Sequence, residues 1–166
     1  MNFRMYGLYP DSIVDGMGLR ITIFFQGCLR HCKGCHNPDS LPISGGYLAD
    51  TDAIIKLFDQ DPLLDGITLS GGEPFLQPAA ALELAKKARE KNLTVWCYTG
   101  FTFEEILEWD DNRLELLKNI NVLIDGPYVE EERSLDILWR GSRNQRMIDV
   151  KKSLETGEVV VLHDTE

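Results

Sequence analysis

The chain has 166 residues, 43% hydrophobic and 27% charged, the balance of a folded protein with one domain's worth of core rather than of a disordered one. Its 17 basic and 27 acidic residues leave a net charge of −10, which argues against a nucleic-acid backbone binder but leaves room for small anions held by a few local arginines. No apolar run approaches the roughly 18 residues of a membrane span, and residues 1–6 lack a signal peptide's apolar core, so the expected compartment is the reducing cytoplasm.

Short β-branched or aromatic runs predict strands at 19–26, 66–69, 94–98 and 121–124. Amphipathic stretches predict helices at 51–59, 78–91 and 102–118. Pro78 suits the first turn of the second helix, and Thr102 with Glu105 has capping-box spacing at the third. Asp110-Asp111-Asn112 is a candidate interruption of that third helix. A strand at 147–150, a short helix and a strand at 158–162 close the chain, which is expected to be a single domain over 1–166.

Strands alternating with helices predict an α/β fold with a mostly parallel sheet and right-handed crossovers. Such connections put every strand-to-helix loop on one rim, where α/β proteins place their chemistry. A complete eight-unit barrel needs about 250 residues, so this chain predicts a partial (βα) barrel, open along its side. The loops in question are unusual. Gly27 and the cysteines follow the first strand, Ser70-Gly71-Gly72-Glu73-Pro74 the second, Thr99-Gly100 the third and Asp125-Gly126-Pro127-Tyr128 the fourth.

Cys28, Cys32 and Cys35 are spaced C-x3-C-x2-C within the loop 27–37, while Cys97 sits in an apolar strand pattern as a small buried hydrophobe. Three thiolates on one loop can wrap one compact inorganic centre, and three is one fewer than a closed zinc site or a fully ligated cubane takes. A structural zinc completed by His31 or His36 is the alternative.

The cysteine spacing together with Gly71-Gly72-Glu73-Pro74 resembles the radical S-adenosylmethionine (SAM) superfamily. That resemblance implies a 4Fe-4S cluster on Cys28, Cys32 and Cys35, whose open iron chelates the amino and carboxylate groups of SAM. One electron then cleaves the sulfonium to methionine and a 5′-deoxyadenosyl radical that takes hydrogen from a substrate. It also implies that the loop Ser70, Gly71, Gly72, Glu73, Pro74 holds SAM, with the backbone around Gly34, Cys35 and His36. Independently, the glycine pair permits close approach and positive φ, and an ionised Glu73 suits an ammonium group.

Three further strings are similar to the activating enzymes of glycyl-radical proteins: Asp15-Gly16-Met17-Gly18-Leu19-Arg20, Tyr98-Thr99-Gly100 and Asp125-Gly126-Pro127-Tyr128. Trp139-Arg140-Gly141-Ser142-Arg143-Asn144-Gln145 is close to the W-R-G-S-x-N-Q segment of the anaerobic (class III) ribonucleoside-triphosphate reductase activating proteins. In that light Asp125 either accepts hydrogen bonds from a ligand hydroxyl or backbone amide or caps a turn. Arg140 takes either the SAM carboxylate or an acidic partner surface. Arg146 reads first as part of a solvated basic face, and the segment 139–166 is expected to complete the site and the sheet.

The resemblance implies an activase that places a glycyl radical on the anaerobic ribonucleoside-triphosphate reductase, with flavodoxin or ferredoxin as electron donor and no nucleic acid or membrane partner. No side chain need act as a general base, because the cofactors carry the chemistry. The rivals are an activase for another glycyl-radical enzyme such as pyruvate formate-lyase, a radical SAM enzyme with a small substrate, and a zinc-binding interaction module without catalysis.

Overall fold

The computed structural model describes residues 1–30, 32–35, 38–134 and 137–162. The chain runs through β1 (Asn2–Ser12), β2 (Arg20–Phe25), β3 (Tyr47–Asp50), α1 (Thr51–Leu57), β4 (Gly66–Gly71) and α2 (Pro78–Glu90). It continues through β5 (Thr94–Tyr98), α3 (Phe103–Leu107), α4 (Asn112–Lys118), β6 (Val122–Asp125), β7 (Arg146–Asp149) and α5 (Val150–Thr156). One seven-stranded open sheet results, in the order β3-β1-β2-β4-β5-β6-β7.

At its centre β2, β4, β5 and β6 pair in parallel, with Thr22, Thr68, Trp96 and Val122 in one register row. β1 is antiparallel to β2, β3 antiparallel to β1, and β7 antiparallel to β6. β3 therefore runs with β2, so five strands (β2, β3, β4, β5, β6) share one direction.

Period-two alternation decides what each face carries. Ile21, Ile23, Phe25, Ile67, Leu69, Val95, Cys97 and Leu123 point to one face and are buried. α1–α5 each add side chains to the same core, including Ile54, Phe103, Leu116 and Val150. α2 lies against the sheet with a fully buried stripe of Ala81, Leu84, Ala85 and Ala88, whose small side chains let the helix approach closely. Each fully buried Leu, Ile, Val or Phe contributes about 1.5–3 kcal/mol relative to exposure.

The opposite face is different in kind. It holds a small cluster of Trp96, Ile124 and Met147, packed by Tyr98, Val122, Trp139 and Leu162. Beside that cluster runs a buried polar set. Arg20 donates to Thr68 Oγ1, Ile67 O, Met17 O, Thr94 O and Thr94 Oγ1 at 2.7–3.0 Å and stands 5.4 Å from the Trp96 ring centroid. Burial pushes the Arg20 guanidinium down to about 10. Thr68 donates to the Asp15 carbonyl, and the Asp15 carboxylate accepts from Ser12 and Thr22. The loop 13–19 is thereby fastened to the sheet face opposite α1–α5.

Caps set the helix starts. Asp50, Thr102, Asp111 and Asp149 accept from Asp52, Glu105, Arg113 and Lys152 amides, each closing an orphan donor. The helical stretch expected over 102–118 is two helices, and the interruption falls at Asp110-Asp111-Asn112, where Asp111 caps the second. The strand expected at 158–162 is a single bridge between Ile148 and Val161.

β1 and β3 are additions to the predicted set. β1 carries register shifts between Met5 and Gly7 and between Tyr9 and Ser12, so its alternation is broken. β3 is an edge strand with Tyr47 and Leu48 exposed, and an edge need not alternate.

Candidate functional site

The carboxyl ends of the parallel strands deliver four loops to one cavity of about 530 Å³. After β2 the chain folds back on itself: Gly27 and Cys28 amides donate to Ser40 and Leu41 carbonyls at 2.6 and 2.9 Å. The Gln26 amide group donates to the Asp39 and Pro42 carbonyls and fastens the base of that loop. Cys35 N donates to Cys32 O at 3.1 Å, which turns the chain so that Cys28, Cys32 and Cys35 all line the cavity. Cys28 is buried, and the other two are half-buried.

The donor set fits an iron–sulfur centre. Three soft thiolates are the ligands such a centre takes. Burial pushes the Cys28 thiol up, and Glu73, Cys32 and Cys35 push the same way, against the Arg30 amide hydrogen bond that stabilises the thiolate. A bound cationic core would favour the Cys28 thiolate against that burial. Among the described residues no three Cys, His, Asp or Glu side chains are gathered to hold a single metal ion. His31 and His36, the expected fourth ligands of a zinc, lie outside the described residues, as does the part expected of His36 in holding SAM.

The loop after β4 is tied to its neighbours. Gly71 has φ +93°, and a Cβ on it would stand 2.5 Å from Phe25 N; a Cβ on Gly72 would overlap the Gly27 carbonyl. The close approach these glycines permit is thus to the backbone of the cysteine loop. Gly72 N donates to Phe25 O at 2.8 Å and Glu73 N to Gly27 O at 2.7 Å.

Glu73 is 2% exposed yet lines the cavity. Its Oε1 accepts from Gly100 N at 2.7 Å, and its Oε2 from Thr99 Oγ1 at 2.8 Å and Phe75 N at 3.1 Å. Burial pushes its carboxyl up, and these three bonds oppose the shift. Ser70 ends the inner row of β4 and lines the cavity; Pro74 is buried at the first position of a 3-10 turn capped by Glu73.

The remaining expected residues divide. Arg140 lines the cavity and donates to Gln145 O at 3.3 Å. Gly34, with φ +76°, lies under the Glu130 carboxylate and is not among the residues found lining the cavity. Asp125 is 1% exposed and does not line the cavity either; its carboxylate accepts from Phe103 N at 2.8 Å and from Arg146. Arg146 is therefore not a solvated basic residue but the partner of a buried carboxylate, with Glu104 on its other side. Cys97 is fully buried on the helix-covered face, and burial pushes its thiol well up, as a small strand hydrophobe.

The Trp139–Gln145 string is explained by its hydrogen bonds. Gln145 Oε1 accepts from Gly141 and Ser142 amides, its Nε2 donates to Gly126 O, and Asn144 donates to Pro127 O. The segment is thereby clamped onto the loop after β6 and presents Trp139 and Arg140 to the cavity. Sequence reasoning did not assign Arg30, Asp15 or Tyr98 to the cavity they line. Asp15 and Tyr98 were signalled only through their motifs, and Arg30 by nothing local.

A family model described as a 4Fe-4S single cluster domain matches residues 14–148. The anaerobic ribonucleoside-triphosphate reductase-activating protein of Vibrio cholerae is 36% identical over 154 residues, covering 87% of this chain and 96% of that protein. The proteins of the same name from Escherichia coli K12 and from enterobacteria phage T4 are 34% and 36% identical, covering 87% and 84% of this chain and 96% and 90% of their own.

Proposed function

The chain belongs to the family of anaerobic ribonucleoside-triphosphate reductase-activating proteins, and we propose that it is the radical SAM activase that installs a glycyl radical on such a reductase. The observation that carries this reading is the meeting of Cys28, Cys32, Cys35 and the Gly71-Gly72-Glu73 loop in one cavity at the carboxyl ends of parallel strands. The open sheet, with helices on one face and the cavity on the other, agrees with a partial (βα) barrel formed as a single domain.

In this reading Cys28, Cys32 and Cys35 hold a 4Fe-4S cluster, and Ser70, Gly71, Gly72 and Glu73, with the backbone of Cys35, hold SAM. When bound, the pair supplies one-electron cleavage of SAM and the abstraction of hydrogen from a partner's glycine. The protein's own work is placement and exclusion of water. Glu73 fixes the loop after β5 through Gly100 and Thr99. Arg140 offers a guanidinium to the methionyl carboxylate. Asp125 holds the wall indirectly, by gripping Arg146 and the start of α3.

The partner is the glycyl-radical reductase, the electron donor a flavodoxin or ferredoxin, and the setting the cytoplasm. Among the described residues no helix is long and apolar enough to cross a membrane.

Anaerobic reconstitution tests the assignment. A brown protein with about four iron per chain that cleaves SAM under dithionite supports it. A glycyl doublet in the electron paramagnetic resonance spectrum after mixing with the reductase identifies the partner. A colourless protein holding one zinc overturns the enzyme, and a doublet obtained only with pyruvate formate-lyase overturns the partner.

A further inference from the structure

The geometry points to Arg30 as a positioning residue that straps the cysteine loop to the loop after β5 and sets the charge felt by a cluster on that loop. This inference rests on the reading of the three cysteines given above.

Arg30 sits between the first two cysteines and, like all three of them, lines the cavity. Its side chain leaves the cysteine loop altogether. The guanidinium lies 4.6 Å from the Phe101 ring centroid, and Nη2 stands 3.8 Å from Glu105 Oε2 at the start of α3. Between these points the chain passes over Gly100, where a Cβ would overlap Nε and Cδ. A side chain there would displace the arginine from this path.

The contact closes a ring through three loops. Glu73 N donates to Gly27 O beside Cys28, Glu73 Oε1 accepts from Gly100 N, and Gly100 lies under Arg30. Moving the cysteine loop therefore moves the loop that fixes Glu73.

Electrostatics give the strap its second effect. Among the described residues lining the cavity the cations are Arg30 and Arg140, against Asp15, Glu73 and the three cysteines. Arg30 alone of the two belongs to the cysteine loop. Its Nε is buried with no hydrogen-bond partner among the described residues, so this edge of the guanidinium is not neutralised by the protein. Glu105, at 3.8 Å, is beyond hydrogen-bond distance and half-exposed. A positive charge held this way stabilises the more negative, reduced form of a cluster and raises its midpoint potential.

The test uses the reconstituted full-length protein and reads iron content and the midpoint potential by mediated redox titration. Arg30→Gln removes the charge and is expected to lower the potential. Arg30→Lys keeps the charge and is expected to stay near the parent value. Glu105→Gln removes the opposing charge and is expected to raise it. Potentials in the order Arg30→Gln, parent, Glu105→Gln support the inference. Equal shifts in Arg30→Gln and Arg30→Lys, or no ordering by charge, overturn it. Should Arg30→Gln take up no iron, the Arg30→Lys and Glu105→Gln potentials decide alone. A parent protein without iron–sulfur absorption defeats the cluster reading itself, before any variant is made.

Discussion

Asp125 and Arg146 are direct partners across the antiparallel β6–β7 pair, with Nη2 of the arginine 2.6 Å from Oδ2 of the aspartate and Nε 3.1 Å from Oδ1. The same Oδ2 accepts from Phe103 N at the first residue of α3, so one buried carboxylate joins the last strand, its neighbour and the helix that follows β5. Asp125→Asn takes away the buried one of Arg146's two carboxylate partners, leaving exposed Glu104, and weakens that junction. Because Arg146 is 32% exposed, the expected loss is about 2–3 kcal/mol, below the 3–5 typical of a fully buried pair. Urea unfolding of the metal-free chain measures it.

The outer arm of this network predicts a pH effect. The Arg146 hydrogen bond holds Glu104 below the ordinary carboxylate range. A depressed folded pKa gives stability that is present above the unfolded pKa and lost as pH falls through the folded value. Glu104 is 59% exposed, so the contribution is about 0.2–1 kcal/mol and falls with salt. Urea midpoints of Glu104→Gln and the parent are expected to differ at pH 7 and to converge as pH falls past the unfolded glutamate value and through the depressed folded one.

Glu73 gives a prediction at the level of single amides. Glu73→Ala leaves Gly100 N, Phe75 N and the Thr99 hydroxyl without their acceptor. Each such buried group costs about 1–3 kcal/mol where water cannot reach it. Hydrogen exchange is expected to accelerate at Gly100 and Phe75 and to stay unchanged at the core amides of α2. Unchanged exchange at Gly100 would contradict the bonding described.

Gly72 tests the contact between the two loops. A methyl group there overlaps the Gly27 carbonyl, so Gly72→Ala must push the loop after β4 away from the cysteine loop. Iron uptake on reconstitution is expected to fall severalfold while the far-ultraviolet circular dichroism is kept. Gly7→Ala is the control: nothing lies within 4 Å of the added atom, and uptake should match the parent.

What could be read from the sequence followed from how local each signal is. β2, β4, β5 and β6 were legible because their Ile, Val and Leu alternate against a helix layer, and the loops after them are named by their own residues. β1 and β3 were not, since a bulged strand and an exposed edge lack that pattern. The cysteine and glycine loops could be placed on one rim by topology alone. The bonds of Glu73 to Gly100 and Thr99 could not, because they join residues 26–27 positions apart. The pairing that removes Asp125 from the cavity required the antiparallel return of β7, which no local pattern announces. Arg30 is the extreme case, a loop arginine whose surroundings come wholly from another strand's exit.

The layer asymmetry of the sheet has a consequence for when the proposed chemistry is safe. Among the described residues α1–α5 all pack on one side, so a reactive species formed in the proposed reaction would be covered on the other by loops alone. Such a chain is best left idle in isolation, its reactivity released only when a second macromolecule lies across the gap and shuts out solvent.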